Sequence, residues 1–85
     1  MRLLLVEDDP YLQETLARSL SRRGMQVSCA ASAAQALSLW KSVRPDVVVL
    51  DLTLPDGDGL NVLSQIRKEG LRTPVLVLTA RTTVG

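Results

Sequence analysis

At 85 residues the chain suits one small domain with a modest core, and apolar residues make up 46% of it, which excludes a disordered polymer. The net charge is +1 with Lys and Arg scattered along the sequence, so composition gives no argument for a nucleic-acid or acidic-membrane partner. Tyr11 and Trp40 are the only aromatic side chains, there is no histidine, and Cys29 is the only cysteine. These counts exclude a base-stacking platform, His-based zinc sites, Ser/His or Cys/His catalysis and an internal disulfide within this chain.

In chain order, the first element is the continuous apolar run Leu3–Val6, which reads as a strand. Glu7, Asp8 and Asp9 follow at once. The run is too short for a signal-peptide core or a membrane span, so a cytoplasmic protein without membrane contact is expected. Asp9-Pro10 reads as the N-cap and first position of a helix with Leu12, Leu16 and Leu20 on one face. Gly24, after Arg22 and Arg23, ends it. Met25–Ala30 is weaker and more polar, as an edge strand would be, and Cys29 within it reads as a buried inert thiol, not a redox group. Ser32-Ala33-Ala34-Gln35 matches a capping box. It opens a helix with Ala33, Ala36, Leu37, Trp40 and Val43 inward, stopped by Pro45.

Val47–Leu50 is the next apolar run, and it leads into Asp51. Pro55, Asp56, Gly57 and Asp58 form a turn-rich stretch, and a helix starts near Gly59 with Leu60, Leu63 and Ile66 on one stripe. Gly70 ends that helix, and Pro74 precedes the last apolar run, Val75–Leu78. The order β-α-β-α-β-α-β with short loops predicts an α/β fold with right-handed crossovers and a mostly parallel sheet. There is no internal repeat, low-complexity tract or linker. A last strand followed by only seven residues lacks the helix that would cover it, so a domain cut short is expected.

Open α/β sheets bind ligands outside the carboxyl ends of their strands. If the first and third strands are neighbours, Glu7, Asp8 and Asp51 converge there. Clustered carboxylates raise one another's pKa, and a hard divalent cation such as Mg²⁺ relieves the conflict. A carboxylate beside such a metal can attack phosphorus and form an aspartyl phosphate, with a hydroxyl such as Thr79 donating to a phosphoryl oxygen. Simpler readings compete. Asp9 fits a helix cap, Asp56 and Asp58 fit turn residues, and Glu7 and Asp8 fit a solvated strand end. Asp51 resists such a reading, because an unpaired carboxylate ending a buried strand costs several kcal/mol.

The stretches "LLLVEDDP", "PDVVVLDLTLPDGDGL" and "PVLVLTA", in that order and spacing, resemble the receiver domain of bacterial two-component response regulators. The likeness covers essentially the whole chain, and "VEDD" and "LTAR" resemble the OmpR/PhoB subfamily of transcription factors with winged-helix effector domains. The resemblance implies an incomplete flavodoxin-like (CheY-like) doubly wound sheet over residues 1–85, strand order 2-1-3-4, with no effector domain. It implies Asp51 as phosphoacceptor for a sensor histidine kinase, and Asp8 as a direct Mg²⁺ ligand with Glu7 acting through water. The Thr53 backbone carbonyl would be the third protein ligand and Thr79 the switch hydroxyl. Ala80 would leave room for the phosphate, Pro55 and Gly59 would shape the loop, and Thr53 and Arg81 would tune phosphoryl lifetime. The family continues with a helix, a strand bearing a lysine, and a further helix. None follows here, and Lys41 and Lys68, on predicted helices, cannot replace that lysine. The implied parent binds DNA through its effector domain. This chain is expected to switch poorly and to self-associate through the fourth strand's exposed apolar edge.

Three other readings compete. A haloacid dehalogenase-type phosphohydrolase wants a second aspartate two residues after the nucleophile, where this chain has Thr53. A nucleotide-binding domain wants a Gly-rich phosphate loop, and no strand is followed by one. The third is an inert binding fragment, kept open by the missing lysine.

Overall fold

The computed structural model describes residues 1–78. The apolar runs form β1 (Arg2–Val6), β3 (Val47–Asp51) and β6 (Val75–Leu78), and the more polar run forms β2 (Gln26–Ala30). Between them lie α1 (Pro10–Arg22), α2 (Ala33–Val43) and α3 (Gly59–Lys68). A hairpin of two-residue strands, β4 (Thr53–Leu54) and β5 (Gly57–Asp58), occupies the stretch read as a plain turn. The four long strands form one parallel sheet in the order β2-β1-β3-β6, which is the expected 2-1-3-4 order with β6 as its fourth strand.

Alternate side chains of each strand point to opposite faces, so continuous apolar runs feed two cores. Leu4, Val6, Val48 and Leu50 pack beneath Ala36 and Trp40 of α2 and Val62 and Ile66 of α3. Leu3, Leu5 and Val49 pack beneath Leu16, Ala17 and Leu20 of α1. Fully burying one such side chain contributes about 1.5–3 kcal/mol.

Two helix faces differ from the sequence reading. In α3 the buried line is Gly59, Val62 and Ile66, with Leu63 half-buried, whereas Leu60 is 52% exposed. At about 100° per residue, Val62 and Gly59 fall within 40° of Ile66, and Leu60 lies some 120° away. In α1 no residue is fully buried, and Leu12 is exposed while Leu16 and Leu20 are half-buried. A strict four-residue spacing drifts by about 40° per step, which carries Leu12 off the sheet.

The helix ends follow the predicted signals. The Asp9 carboxylate accepts from the Tyr11 and Leu12 N–H groups, and Gly24 takes the left-handed conformation after α1. Ser32 Oγ accepts from Gln35 N–H at 3.2 Å, but Gln35 Oε1 returns to the Ala31 N–H, one residue before the position a capping box requires. The loop into β6 is tied by Trp40 Nε1–H to Thr73 Oγ1 at 3.1 Å and by the Arg67 guanidinium to the Leu71 and Thr73 carbonyls.

Folding sorts the charges that looked scattered. Glu7, Asp8, Asp9, Asp51, Asp56 and Asp58 all lie at the carboxyl edge of the sheet. Arg2, Arg22, Arg23, Lys41, Arg44, Arg67, Lys68 and Arg72 lie at strand starts, helix ends and the loop before β6, on the amino edge, where Asp46 and Glu69 are the acids beside them. No helix among the described residues is long and apolar enough to cross a membrane.

Candidate functional site

β1 and β3 are adjacent and in register, with Val6 opposite Leu50. The residue after β1 and the last residue of β3 therefore emerge side by side. Glu7, Asp8 and Asp51 each offer a carboxylate oxygen, and these oxygens lie within 4.8 Å of one another. Glu7 is buried, Asp51 half-buried and Asp8 exposed, so the cluster runs from the core to the surface.

Backbone contacts fix the Glu7 end. The Glu7 N–H donates to the Ala30 carbonyl at 2.9 Å, extending the β1–β2 ladder. Gln13 of α1 donates its side-chain amide to the Glu7 carbonyl at 2.9 Å and to the Ala30 carbonyl at 3.3 Å. No motif marks Gln13 in the sequence, since a single glutamine on a helix is ordinarily a solvated residue. On the other strand, Asp51 Oδ1 accepts from the Thr53 N–H at 3.1 Å.

Burial pushes the Glu7 carboxyl from its ordinary 4.5 up to about 7. The Asp9 N–H, donating to Glu7 Oε2 at 3.1 Å, opposes the shift, and the hydrogen bond and charge of Asp51, then Asp8, add to it. The all-oxygen donor set and this stored repulsion fit a hard divalent cation such as Mg²⁺, whose charge would keep all three carboxylates ionised.

The loop after Asp51 packs tightly. The Gly59 N–H donates to the Leu52 carbonyl at 2.9 Å, and a Cβ on Gly59 would stand 2.5 Å from the Asp51 carbonyl oxygen. Only glycine allows α3 to begin this close to Asp51. Thr53 is exposed in β4, and Pro55 is exposed in the hairpin turn. Asp9 caps α1, as its position suggested. Asp56 and Asp58 do more than turn the chain. Asp58 is the N-cap of α3, accepting from the Leu60 N–H at 2.9 Å, and Asp56 accepts from two N–H groups of α2. Their partners lie across a helix start or on another element, which turn chemistry does not reveal. Lys41 and Lys68 lie in the last turns of α2 and α3, at the opposite edge, and Lys41 pairs with Glu69 at 3.0 Å. Thr79, Ala80 and Arg81 lie outside the described residues.

Comparison with known proteins agrees with this layout. The family model described as the response regulator receiver domain matches residues 3–84. The transcriptional regulatory protein PmrA of Pectobacterium parmentieri is 51% identical over 81 residues, which is 95% of this chain and 36% of that protein. The chain thus spans little more than a third of the length of the curated relatives it matches. Among solved structures, the non-phosphorylated HemR receiver domain from Leptospira biflexa is 42% identical with a TM-score of 0.87, over 94% of this chain and 64% of that one. TrrA from Thermotoga maritima, solved in complex with Mg²⁺–BeF, is 33% identical with a TM-score of 0.89, over 95% of this chain and 70% of that one. With nearly every residue matched and the carboxylate cluster at the family's strand ends, the chain belongs to the response regulator receiver domains of two-component signalling.

Proposed function

We propose that this chain is a phosphoacceptor module that takes a phosphoryl group onto Asp51 from a sensor histidine kinase. The observation that carries the reading is the convergence of Glu7, Asp8 and Asp51 within 4.8 Å at adjacent strand ends. An Asp51 carboxylate oxygen attacks phosphorus, the donor's P–N bond breaks, and the electron pair stays with the imidazole nitrogen, which takes up a proton. Asp8 and Asp51 would hold Mg²⁺, with Glu7 acting through water and Thr53 through its backbone carbonyl. When bound, Mg²⁺ supplies charge neutralisation at the phosphoryl oxygens during in-line transfer. Thr79 donates its hydroxyl to the phosphoryl group, Ala80 leaves room for it, and Thr53 and Arg81 set its lifetime. Pro55 and Gly59 shape the intervening loop.

Residues 1–85 act as one receiver unit of a longer cytoplasmic regulator of the OmpR/PhoB type, which contacts DNA through an effector domain outside this chain. Relatives bearing the names of transcriptional regulators support that placement. The unit is a substrate for phosphorylation, with at most slow self-phosphorylation and self-dephosphorylation. The side of β6 that has no strand neighbour among the described residues gives it a surface for self-association.

The test is incubation with Mg²⁺ and a small-molecule phosphodonor, followed by mass analysis of the chain and of the longer parent. The expected result is an acid-stable, base-labile gain on Asp51, weak or absent in this chain and full in the parent, and absent without Mg²⁺ or in Asp51→Asn. A gain that survives either change overturns the reading, as does a parent that gains nothing. Multiple turnover of a phosphate ester would instead point to a hydrolase, which Thr53 disfavours.

A further inference from the structure

The turn joining β4 to β5 carries a carboxylate that the phosphoryl chemistry does not use. One Asp56 oxygen accepts from the Ala33 N–H at 2.6 Å, and the other accepts from the Ala34 N–H at 3.1 Å. Those donors belong to the first turn of α2, where backbone N–H groups lack helical partners and carry partial positive charge. The Ala33 N–H, then the Ala34 N–H, hold the Asp56 carboxyl below the usual carboxylate range. α2 already has a local cap in Ser32, whose Oγ accepts from Gln35 N–H. Asp56 therefore adds a second attachment, reaching across 22 and 23 positions of sequence.

What that attachment holds is the hairpin beside Asp51. Thr53 pairs with Asp58 and Leu54 with Gly57, so the turn bearing Asp56 is only two residues long. Leu54 is buried in the core at one end of the hairpin, and the Gly59 N–H is bonded to the Leu52 carbonyl at its base. Among the described residues, no other side chain hydrogen-bonds the turn to a separate helix. We infer that Asp56 is a positioning residue: it clamps the β4–β5 hairpin to α2 and thereby fixes the Thr53 peptide. The inference rests on the functional reading above, in which the Thr53 carbonyl completes the protein's ligands to Mg²⁺.

Two measurements on the chain test it: calorimetric titration with Mg²⁺ alone, and backbone amide spectra of the metal-free protein. Asp56→Ala weakens Mg²⁺ binding on the order of tenfold, as loss of a group behind a metal ligand does. It also shifts or broadens the amides of residues 53–58 before any metal is added. Asp56→Asn keeps an acceptor oxygen and gives a smaller weakening, about threefold, which serves as the comparison if the alanine variant unfolds. Ser32→Ala removes the other cap of the same helix. It lowers urea stability, as loss of a helix cap does, and leaves both the hairpin amides and Mg²⁺ affinity unchanged.

Unchanged affinity and amides in Asp56→Ala overturn the inference. So does an equal loss of Mg²⁺ affinity in Ser32→Ala, which would trace the effect to helix fraying. If the unaltered chain binds no Mg²⁺ while Asp56→Ala still loosens the hairpin, the metal reading fails and the clamp stands.

Discussion

Folding leaves the Glu7 carboxyl poorly solvated, with Asp51 and Asp8 as neighbours. Its folded pKa of about 7 lies above its ordinary 4.5, so folding favours the protonated form. The stability this contributes is fully present below pH 4.5 and is lost as pH rises through 7. At 1.36 kcal/mol per unit the full loss is on the order of 3 kcal/mol. Urea unfolding of metal-free protein at pH 5 and pH 8 checks it, with Glu7→Gln expected to flatten that difference. Because a metal needs the ionised carboxylate, Mg²⁺ binding is expected to strengthen over the same pH interval and to release a proton. A flat affinity from pH 6 to 8 would falsify the assignment of that proton to Glu7.

At the scale of elements, α3 sets a simple contrast. Ile66 is fully buried and Leu60 is 52% exposed, although both lie on the stripe read from sequence. Ile66→Val is expected to cost about 1 kcal/mol, and Leu60→Ala less than about 0.5 kcal/mol, both by urea unfolding. Equal costs would mean that α3 presents a different face to the sheet. The contrast also marks where sequence reasoning runs out. Long apolar runs and cap residues identify β1, β3, β6 and the starts of α1 and α2, because each signal lies within a few neighbouring residues. The acid cluster was legible for a related reason: parallel crossovers place strand ends together whatever the intervening helices contain. Val62 in place of Leu60 depends on helix phase, which a choice between two leucine-like positions does not fix. Asp56 at α2 and Gln13 at the Glu7 carbonyl depend on contacts made only after the elements pack.

For the molecule as a whole, β6 has a single strand neighbour among the described residues, and Leu76 and Val77 are 63% and 45% exposed. Unpaired backbone groups beside exposed apolar side chains favour strand addition by another chain. Light scattering is expected to show mass rising with protein concentration. Leu76→Lys is expected to suppress that rise, since charge on an edge strand opposes pairing. A monodisperse monomer at millimolar concentration would rule the association out. The acidic carboxyl edge and the amino edge, where bases outnumber acids, bear on the same measurement, because end-to-end attraction between copies weakens with salt whereas edge pairing does not. Mass that disappears at 0.5 M salt would therefore indict the charges rather than β6.

The strand order also has a temporal meaning. Of these four strands β1 leaves the ribosome first, and it stands between β2 and β3 in the finished sheet. β2 can settle on one side of it, β3 on the other, and β6 then on β3, each beside a strand already present. No step requires prising two paired strands apart to admit a third. A parallel sheet made wholly of distant pairings is slow to close by chance, but an order that grows outward from the first-made strand lets synthesis itself set the sequence of events.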